Sequence, residues 1–371
     1  MAKKILVVDD SALMRRLASD IINSDSRYHV EETAKDGKEA LNLLKTKHYD
    51  AVVLDVNMPV MGGLELLREM RKQNIQARVL MFSSTTGEGT KETIEALELG
   101  AVDFIKKPDE LLAVKDMEFK QEFLRLLAVV ARASLVGGVG TGKAPLIHRR
   151  AAPVPIVRTG IGKPDSPEIV LRKSAGHVAG EKIVAIASST GGPKALQKVI
   201  PYLPANLNAP VLLVQHMPAG FTKSLAERLD QLSKIRVKEA ADGDLVEKGL
   251  VLIAAGGRHM KVSKSGRKMR VYYTDEPPRE GVRPAANYMY EALADSPYAE
   301  ICCTVLTGMG ADGTVGIQEL SKTKRTYVIA QDERTSAVYG MPKAIAVAGM
   351  VNEIVPLERV AEAITRNVGV M

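Results

Sequence analysis

Ile5-Leu6-Val7-Val8-Asp9-Asp10 is a run of four apolar residues that ends in two acids. Ala51-Val52-Val53-Leu54-Asp55 repeats the pattern with one acid, and a third run, Ala101-Val102-Asp103-Phe104-Ile105, leads to Lys107. Short apolar runs bounded by polar residues predict parallel strands that are buried on both faces. The carboxyl ends of neighbouring parallel strands meet at one edge of the sheet. We therefore expect the three acids to converge there with the lysine.

Three converging carboxylates repel one another and need a cation between them. Oxygen ligands of this kind favour Mg²⁺, which keeps several waters and shares its coordination shell with a phosphate. The cluster therefore predicts transfer of a phosphoryl group onto one of the carboxylates. A single aspartate at a strand end would more simply be a helix cap or a loop acid, and only the set of four residues in this order favours a metal site.

Residues 1–125 resemble the receiver domain of bacterial response regulators. The resemblance rests on Val7-Val8-Asp9-Asp10-Ser11, Leu54-Asp55-Val56-Asn57-Met58-Pro59, Gly62-Gly63, Met81-Phe82-Ser83-Ser84 and Lys107-Pro108. It implies that Asp55 accepts the phosphoryl group and that Lys107 pairs with the phosphoryl oxygens. The Mg²⁺ ligands that it implies are Asp9, Asp10 and the backbone carbonyl of Asn57. The signalling hydroxyl would be Ser83, with adjacent Ser84 as the alternative, and the coupled aromatic residue would be Phe104.

The length and composition bound the rest of the fold. With 371 residues, 46% hydrophobic and 26% charged, the chain is too long for one ordinary domain and can build two cores. It has no apolar run long enough for a membrane span, and its N-terminus does not have the pattern of a signal peptide. The two cysteines, Cys302 and Cys303, are adjacent and indicate neither a disulfide framework nor a zinc site. We expect a cytoplasmic protein without membrane insertion.

The net charge of +7 is concentrated in one segment. Residues 137–180 hold seven Lys or Arg against two acids, a net charge of +5 that leaves +2 for the rest of the chain. This segment is rich in proline and glycine and has neither helical nor strand periodicity, which is typical of a linker. With no tryptophan and few other aromatic residues for base stacking, the chain is predicted not to bind nucleic acid.

Alternating strand and helix patterns predict two α/β domains. N-terminal strands are expected near residues 4–8, 28–33, 51–54, 77–82 and 101–105, with helices that begin near Ala12, Gly37, Gly63, Glu88 and Asp109. Beyond the linker, strands are expected near 182–187, 210–215, 250–254, 301–306, 325–330 and 351–354, with a β-hairpin around 258–274. The predicted architecture is a doubly wound, five-stranded parallel, flavodoxin-like domain (1–125), a helix and linker (126–180) and a second domain with a Rossmann-like α/β sheet (181–371).

Three polar clusters follow predicted strands of the second domain. They are Ser188-Ser189-Thr190-Gly191-Gly192, Gln215-His216-Met217-Pro218 and Thr307-Gly308-Met309-Gly310-Ala311-Asp312-Gly313. An open α/β sheet places its site at these strand ends, so a serine, a histidine and an aspartate would come together. A serine hydroxyl is a poor nucleophile until a histidine takes its proton, and an aspartate holds that histidine in the right tautomer. Glycines beside Ser189 and Met309 would let backbone N–H groups approach a developing oxyanion.

The residues alone leave other interpretations of this site open. A Ser/Thr-Gly-Gly turn before a helix is also typical of an N-cap or an anion site. His216 could equally be a core histidine with satisfied hydrogen bonds. The chain order Ser, His, Asp and the residues around Ser189 also differ from those of the α/β-hydrolases.

From about residue 182 to the end, the chain resembles the chemotaxis protein-glutamate methylesterase family. The resemblance rests on the three clusters above together with Ala219-Gly220-Phe221-Thr222, Ala254-Ala255-Gly256-Gly257-Arg258-His259-Met260 and Gly340-Met341-Pro342-Lys343. It implies hydrolysis of γ-glutamyl methyl esters on chemoreceptors and deamidation of certain receptor glutamines, with no cofactor in the esterase site.

The resemblance also implies roles for single residues. Ser189 would be the nucleophile, His216 the base and Asp312 the acid that orients it. Thr190 would assist at the serine turn, and the backbone N–H of Met309 would help to form the oxyanion hole. The family usually has Gly-Ala before the catalytic serine, whereas Ala187-Ser188 stands there, so Ser188 is a rival nucleophile. His259 is interpreted as a pocket-lining or structural residue.

Both resemblances together predict a phosphorylation-activated methylesterase whose unphosphorylated receiver covers the esterase site. The partners that they imply are methylated chemoreceptors as substrate and a chemotaxis histidine kinase as phosphodonor. The alternatives are a response regulator with a DNA-binding output, or a catalytically silent receiver protein that acts as a phosphate sink.

Overall fold

The computed structural model describes residues 2–84, 87–108, 117–133, 169–173, 176, 178–266 and 268–371. Most of the predicted linker therefore lies outside the described residues. Within the described ranges, no helix is both long and apolar enough to cross a membrane.

The N-terminal domain is a five-stranded parallel sheet with helices between the strands. Its elements are β1 (Lys3–Val8), α1 (Ala12–Asn23), β2 (Tyr28–Ala34), α2 (Gly37–Thr46), β3 (Ala51–Asp55), α3 (Gly63–Lys72), β4 (Val79–Ser83), α4 (Gly87–Leu99), β5 (Asp103–Lys106) and α5 (Met117–Val130). The strand order is β2-β1-β3-β4-β5, which is the flavodoxin-like order. The predicted doubly wound receiver fold is confirmed.

This sheet is buried on both faces, as the continuous apolar runs predict. Along β1, Ile5 and Val7 join one apolar cluster, while Leu6 and Val8 join another on the opposite face. Helix α5 covers the first face with a set of buried residues, among them Phe123. The helix predicted to begin at Asp109 is described only from Met117, because residues 109–116 lie outside the described ranges.

The C-terminal domain is a seven-stranded sheet with an added hairpin. Its elements are β6 (Lys182–Ser188), α6 (Gly192–Leu196), β7 (Val211–Gln215), α7 (Phe221–Leu232), β8 (Arg236–Glu239), β9 (Leu250–Ile253), β10 (His259–Ser265), β11 (Lys268–Thr274), α8 (Ala286–Ala292), β12 (Glu300–Val305), α9 (Thr314–Thr323), β13 (Arg325–Gln331), α10 (Met341–Val347), β14 (Glu353–Val355) and α11 (Val360–Val368). All neighbouring strands of the sheet pair in parallel, and β10 and β11 form the predicted antiparallel hairpin. The predicted α/β domain is confirmed.

The strand order β14-β13-β12-β6-β7-β9-β8 decides which loops become neighbours. Strand β6 lies at the centre, between β12 and β7, so the loops that follow these three strands meet at one edge. These are the loops that carry Ser189, His216 and Asp312. At the other edge, Lys182 Nζ at the start of β6 donates to the carbonyl of Asn367 in α11 at 2.7 Å.

The two domains are in direct contact. The ring centroid of Phe104, on β5, lies 4.4 Å from the ring centroid of Phe221, at the start of α7. Beside them α4 packs against α7, where Arg228 donates to both carboxylate oxygens of Glu98 at 2.6 and 2.9 Å. Apolar contact also continues from the receiver into the C-terminal domain as one cluster.

Candidate active site

The acidic cluster forms at the edge of the N-terminal sheet where the sequence predicts it. Carboxylate oxygens of Asp9, Asp10 and Asp55 all lie within 4.8 Å of one another. Lys107 Nζ lies 2.8 Å from both Asp9 and Asp55, and both of these acids are buried. Three acids against one ammonium group leave excess negative charge, which a divalent cation would neutralise.

Asp55 is a buried carboxyl group whose ionisation depends on the charges around it. Burial raises the pKa of its carboxyl group to about 6, against the opposing effect of Lys107. Ser83 is fully buried one strand away, and its hydroxyl lies 2.6 Å from that of Thr93 on α4. Phe104 is buried against Phe221, so the aromatic residue implied by the receiver resemblance touches the second domain.

At the second site, the serine turn distinguishes between its two serines. Ser188 ends β6, is fully buried, and donates its hydroxyl to Gln215 Oε1 at 2.7 Å. Ser189 begins the loop and lines a cavity of about 850 Å³. Gly308 packs directly against Ser189: a Cβ at Gly308 would lie 2.8 Å from the Cβ of Ser189. This close approach brings the loop of Met309 to the serine turn.

His216 and Asp312 are in the contact by which a carboxylate orients a histidine base. His216 Nε2 lies 2.7 Å from Asp312 Oδ2, and both side chains are nearly fully buried. The Asp312 carboxylate also accepts from the backbone N–H groups of Ala286, Asn287 and Gly313 at 2.5 to 3.0 Å. Burial opposes its ionisation, but the His216 and backbone hydrogen bonds outweigh that effect, and its pKa lies below the usual value.

The tautomer of His216 follows from this contact. Because the ionised carboxylate can only accept, Nε2 carries the proton and Nδ1 keeps its lone pair. Nδ1 is buried, and no described residue hydrogen-bonds to it. Ser189 and His216 line the same cavity, and no hydrogen bond joins Ser189 to Nδ1. Catalytic contacts of this kind often tighten only when substrate binds.

The receiver forms one wall of the cavity that contains Ser189. Segments 103–108 and 118–126 of the receiver face Ser189, His216 and the loop 278–283 of the second domain. The side chain of Thr190 approaches buried Asp103 and lowers the pKa of its carboxyl group. Arg125 Nη1 donates to Sδ of Met309 at 3.3 Å. Both residues predicted to support the serine are thus in contact with the receiver.

His259 holds the loop that forms the opposite wall. Its Nδ1 accepts from the N–H of Ala285 at 3.1 Å, so Nε2 carries the proton and donates to the carbonyl of Pro277 at 3.2 Å. Burial lowers its pKa, which keeps the ring neutral. This matches the interpretation of His259 as a structural or pocket residue.

The site also contains residues that the sequence analysis did not identify. Asp103 and Arg125 are receiver residues whose role depends on how the two domains dock, and no local pattern marks them. Asn287 lies in an ordinary helical segment and contacts Asp312 across 25 positions of sequence. Only the fold brings these groups to the site.

Comparisons with known proteins agree with this architecture. Residues 5–116 match the family model of the response regulator receiver domain, and residues 184–364 match that of the CheB methylesterase. A protein-glutamate methylesterase/protein-glutamine glutaminase of Pyrococcus abyssi (strain GE5 / Orsay) is 42% identical over 98% of this chain and 93% of its own length. The protein of the same name from Bacillus subtilis (strain 168) is 40% identical over 98% of this chain and 97% of its own.

Solved structures also match. The crystal structure of the Thermotoga maritima CheB methylesterase catalytic domain is 40% identical, with a TM-score of 0.49, and covers 51% of this chain and 99% of that one. Given the two domain matches and the relatives that span nearly its whole length, the chain belongs to the protein-glutamate methylesterase/protein-glutamine glutaminase family, with a response-regulator receiver domain ahead of its methylesterase domain.

Proposed function

We propose that this chain hydrolyses γ-glutamyl methyl esters on chemoreceptors, and deamidates particular receptor glutamines, with Ser189 as nucleophile, His216 as base and Asp312 as orienting acid. The observation that carries the proposal is the 2.7 Å contact between His216 Nε2 and Asp312 Oδ2 beside Ser189 in one cavity. The division of labour is a receiver at 1–125, a helix and linker at 126–180 and a catalytic domain at 181–371.

In the first half of the reaction, Ser189 Oγ attacks the ester carbonyl carbon of the receptor side chain. Its proton passes to His216 Nδ1, the nitrogen that Asp312 leaves as acceptor. The negative charge on the carbonyl oxygen is stabilised by the backbone N–H of Met309, with Thr190 supporting the serine turn. His216 then protonates the leaving group, which departs as methanol from an ester or as ammonia from a glutamine amide.

In the second half, water replaces the leaving group. His216 takes a proton from the water, which attacks the glutamyl-serine ester. The bond to Ser189 Oγ breaks, the serine recovers its proton from His216, and the receptor side chain leaves as a carboxylate. No cofactor is needed in either half.

Control of the reaction belongs to the receiver. We infer that Asp55 accepts a phosphoryl group from a chemotaxis histidine kinase and that Lys107 pairs with its oxygens. Mg²⁺ fits the cluster of three carboxylates, and its ligands would be Asp9, Asp10 and the backbone carbonyl of Asn57. When bound, the ion supplies positive charge that neutralises the developing phosphoryl oxygens. The hydroxyl of Ser83 would move to meet the phosphoryl group, and the ring of Phe104 would move with it.

Occlusion explains how phosphorylation could raise esterase activity. A receptor helix is about 10–12 Å across with its side chains, and it must lie against the face from which Ser189 is reached. In the structure, receiver residues form a wall of that cavity and contact Thr190 and Met309. Phosphorylation would shift the population toward an arrangement in which this wall has moved away.

The alternatives have less support. A DNA-binding output would need a basic recognition element, whereas the second half of the chain is a parallel-sheet domain of the methylesterase family. A silent phosphate sink would not need the hydrogen-bonded His216 and Asp312 pair. Receptors and kinase would both be met in the cytoplasm.

The nucleophile provides the direct test. Ser189→Ala should reduce methanol release from methylated receptor roughly 10⁴-fold or more, while phosphorylation of Asp55 continues. Ser188→Ala is the matched control. It leaves Gln215 without a buried donor and should lower the free energy of unfolding by about 1–3 kcal/mol, but should keep most of the activity. If the two activities are exchanged, Ser188 is the nucleophile.

A further inference from the structure

Asn287 hydrogen-bonds to Asp312, to the backbone that follows Asp312 and to Glu280 through its backbone N–H and both polar atoms of its side chain. It is fully buried at the start of α8. Its backbone N–H donates to Asp312 Oδ1 at 3.0 Å, and its side-chain oxygen accepts from the N–H groups of Gly313 and Gly316 at 3.1 and 2.6 Å. One residue therefore binds the acid itself and the loop that presents the acid.

This connection depends on a close approach of two helices. At Gly316 in α9, a Cβ would lie 2.7 Å from the carbonyl oxygen of Asn287, so only glycine lets the helices come this near. The approach places the first amides of α8 against Asp312, and the Asn287 side chain closes the gap by pairing with the α9 end of the loop. The carboxylate is thereby fixed on both sides.

The side-chain nitrogen of Asn287 reaches the wall of the cavity. Its Nδ2 donates to Glu280 Oε1 at 3.0 Å, and Glu280 belongs to the loop 278–283 that lines the cavity with Ser189. Glu280 has a φ of 54°, a left-handed conformation that is strained for a residue other than glycine. A partner that holds its side chain helps to keep the loop in this conformation.

We propose that Asn287 is a positioning residue for the reaction. Its backbone N–H and side-chain oxygen orient Asp312, and its side-chain nitrogen holds the substrate-facing loop through Glu280. The inference rests on the proposed function, because it acts through the pair formed by His216 and Asp312. The contacts to Asp312 and its loop should govern kcat, since they set the orientation of the base. The contact to Glu280 should govern KM, since it shapes the wall that a receptor side chain must pass.

The test measures methanol release by the full-length protein with methylated receptor. Asn287→Ala should lower kcat by roughly 10²-fold, the typical effect of a misplaced catalytic group. Asn287→Asp keeps both acceptor bonds, so its kcat should stay within about threefold. Its KM should rise, because a carboxylate replaces the donor to Glu280. Glu280→Ala should raise KM with little change in kcat.

Two controls separate positioning from stability. Tyr290→Phe removes a buried hydroxyl from the same helix, one that bonds the carbonyls of Ala185 and Thr304, and should destabilise the fold without lowering kcat. In an Asp312→Ala background, Asn287→Ala should cause no further loss of kcat, because the group that it positions is gone.

The outcomes divide clearly. Full kcat in Asn287→Ala, an equal loss in a folded Asn287→Asp, or an additive loss in the Asp312→Ala background would each overturn the inference. If Asp312→Ala lowers activity while Asn287→Ala does not, only this inference fails. If Asp312→Ala keeps full activity, the proposed catalytic pair fails with it.

Discussion

Asp103 is a buried acid that lines the cavity between the two domains. Burial raises the pKa of its carboxyl group to about 6, although the Phe104 N–H donates to it and the Thr190 side chain also lowers the pKa. Glu122 adds to this rise and Arg125 opposes it. The pKa is higher in the covered state than it would be in solvent. The carboxyl group therefore stabilises the covered state at low pH, and that contribution is lost as the pH rises through about 6.

Asp103→Asn should remove this pH dependence, because the amide stays neutral. At pH 7.5 we expect basal turnover of the unsubstituted protein to exceed that of Asp103→Asn severalfold. The ratio should fall as the pH is lowered through about 6 and should approach one only below about 4, where an exposed aspartate is also neutral. Taking the ratio at each pH cancels any pH dependence that both proteins share. A ratio that does not change with pH would mean that Asp103 does not titrate when the domains separate.

Asp55 is the residue through which control enters. Asp55→Asn keeps the shape of the side chain but removes the phosphoryl acceptor and one carboxylate of the cluster. Basal methanol release should survive, and stimulation by a small phosphodonor with Mg²⁺ should vanish. Asp50→Asn serves as the control, since Asp50 bonds the backbone of Lys4 at the opposite end of the sheet. Stimulation that persists in Asp55→Asn would place phosphoryl transfer elsewhere.

At the level of elements, helices α4 and α7 hold the domains together through the ion pair of Glu98 and Arg228. Both side chains are partly exposed, so the pair stabilises the contact by about 1 kcal/mol or less. Arg228→Glu replaces attraction by repulsion, and basal turnover should rise about fivefold for each 1 kcal/mol lost.

The reciprocal exchange is the control for this prediction. Glu98→Arg combined with Arg228→Glu restores opposite charges and should return basal turnover toward its original value. The effect of the single substitution should also shrink at high salt, where exposed charges are screened. If the double variant stays as active as the single one, the ion pair does not contribute to closure.

Sequence patterns predicted the elements whose burial is uniform. Strands such as β3 and β7 are apolar up to their last residue, so their runs stand out. Strand β8 was not predicted, because as an edge strand it buries one residue of Arg236–Glu239 and reads as a charged loop. The predicted beginnings of β4 and β5, residues 77 and 101, lie two residues ahead of the observed ones. Apolar loop residues, Ala77 before β4 and Ala101-Val102 before β5, extend the predicted strands.

The site residues that lie at strand ends could be predicted from the sequence, whereas those that depend on the contact between domains could not. Asp9, Asp55 and Lys107 converge because parallel strands share an edge, and the same rule brings His216 to Asp312. The contacts of Asp103 with Thr190 and of Phe104 with Phe221 depend on the docking of two separate surfaces. No periodicity in either domain encodes that docking, so the sequence gives no sign of those contacts.

At the scale of the whole molecule, the second domain has what it needs to fold alone. Its seven strands lie between Lys182 and Val355, and one face of its sheet is covered by an apolar cluster made only of its own residues. A fragment from Ala179 onward should therefore fold, raise basal turnover, and ignore phosphodonors. Circular dichroism and thermal melting establish its integrity. Equal or lower turnover in a well-folded fragment would mean that the receiver activates directly.

The contact between Lys182 and Asn367 brings the two ends of the catalytic domain side by side. A tethered cover acts through its effective concentration, which depends on the length of the tether and on where it is anchored. Since both ends lie at the same edge of the sheet, with Met371 N–H bonded to the carbonyl of Asn206 ahead of β7, a receiver fused behind Met371 would search a similar volume to one fused ahead of Lys182. Geometry thus leaves the order of the two domains open, and a circularly permuted protein with its receiver last would keep the same means of self-regulation.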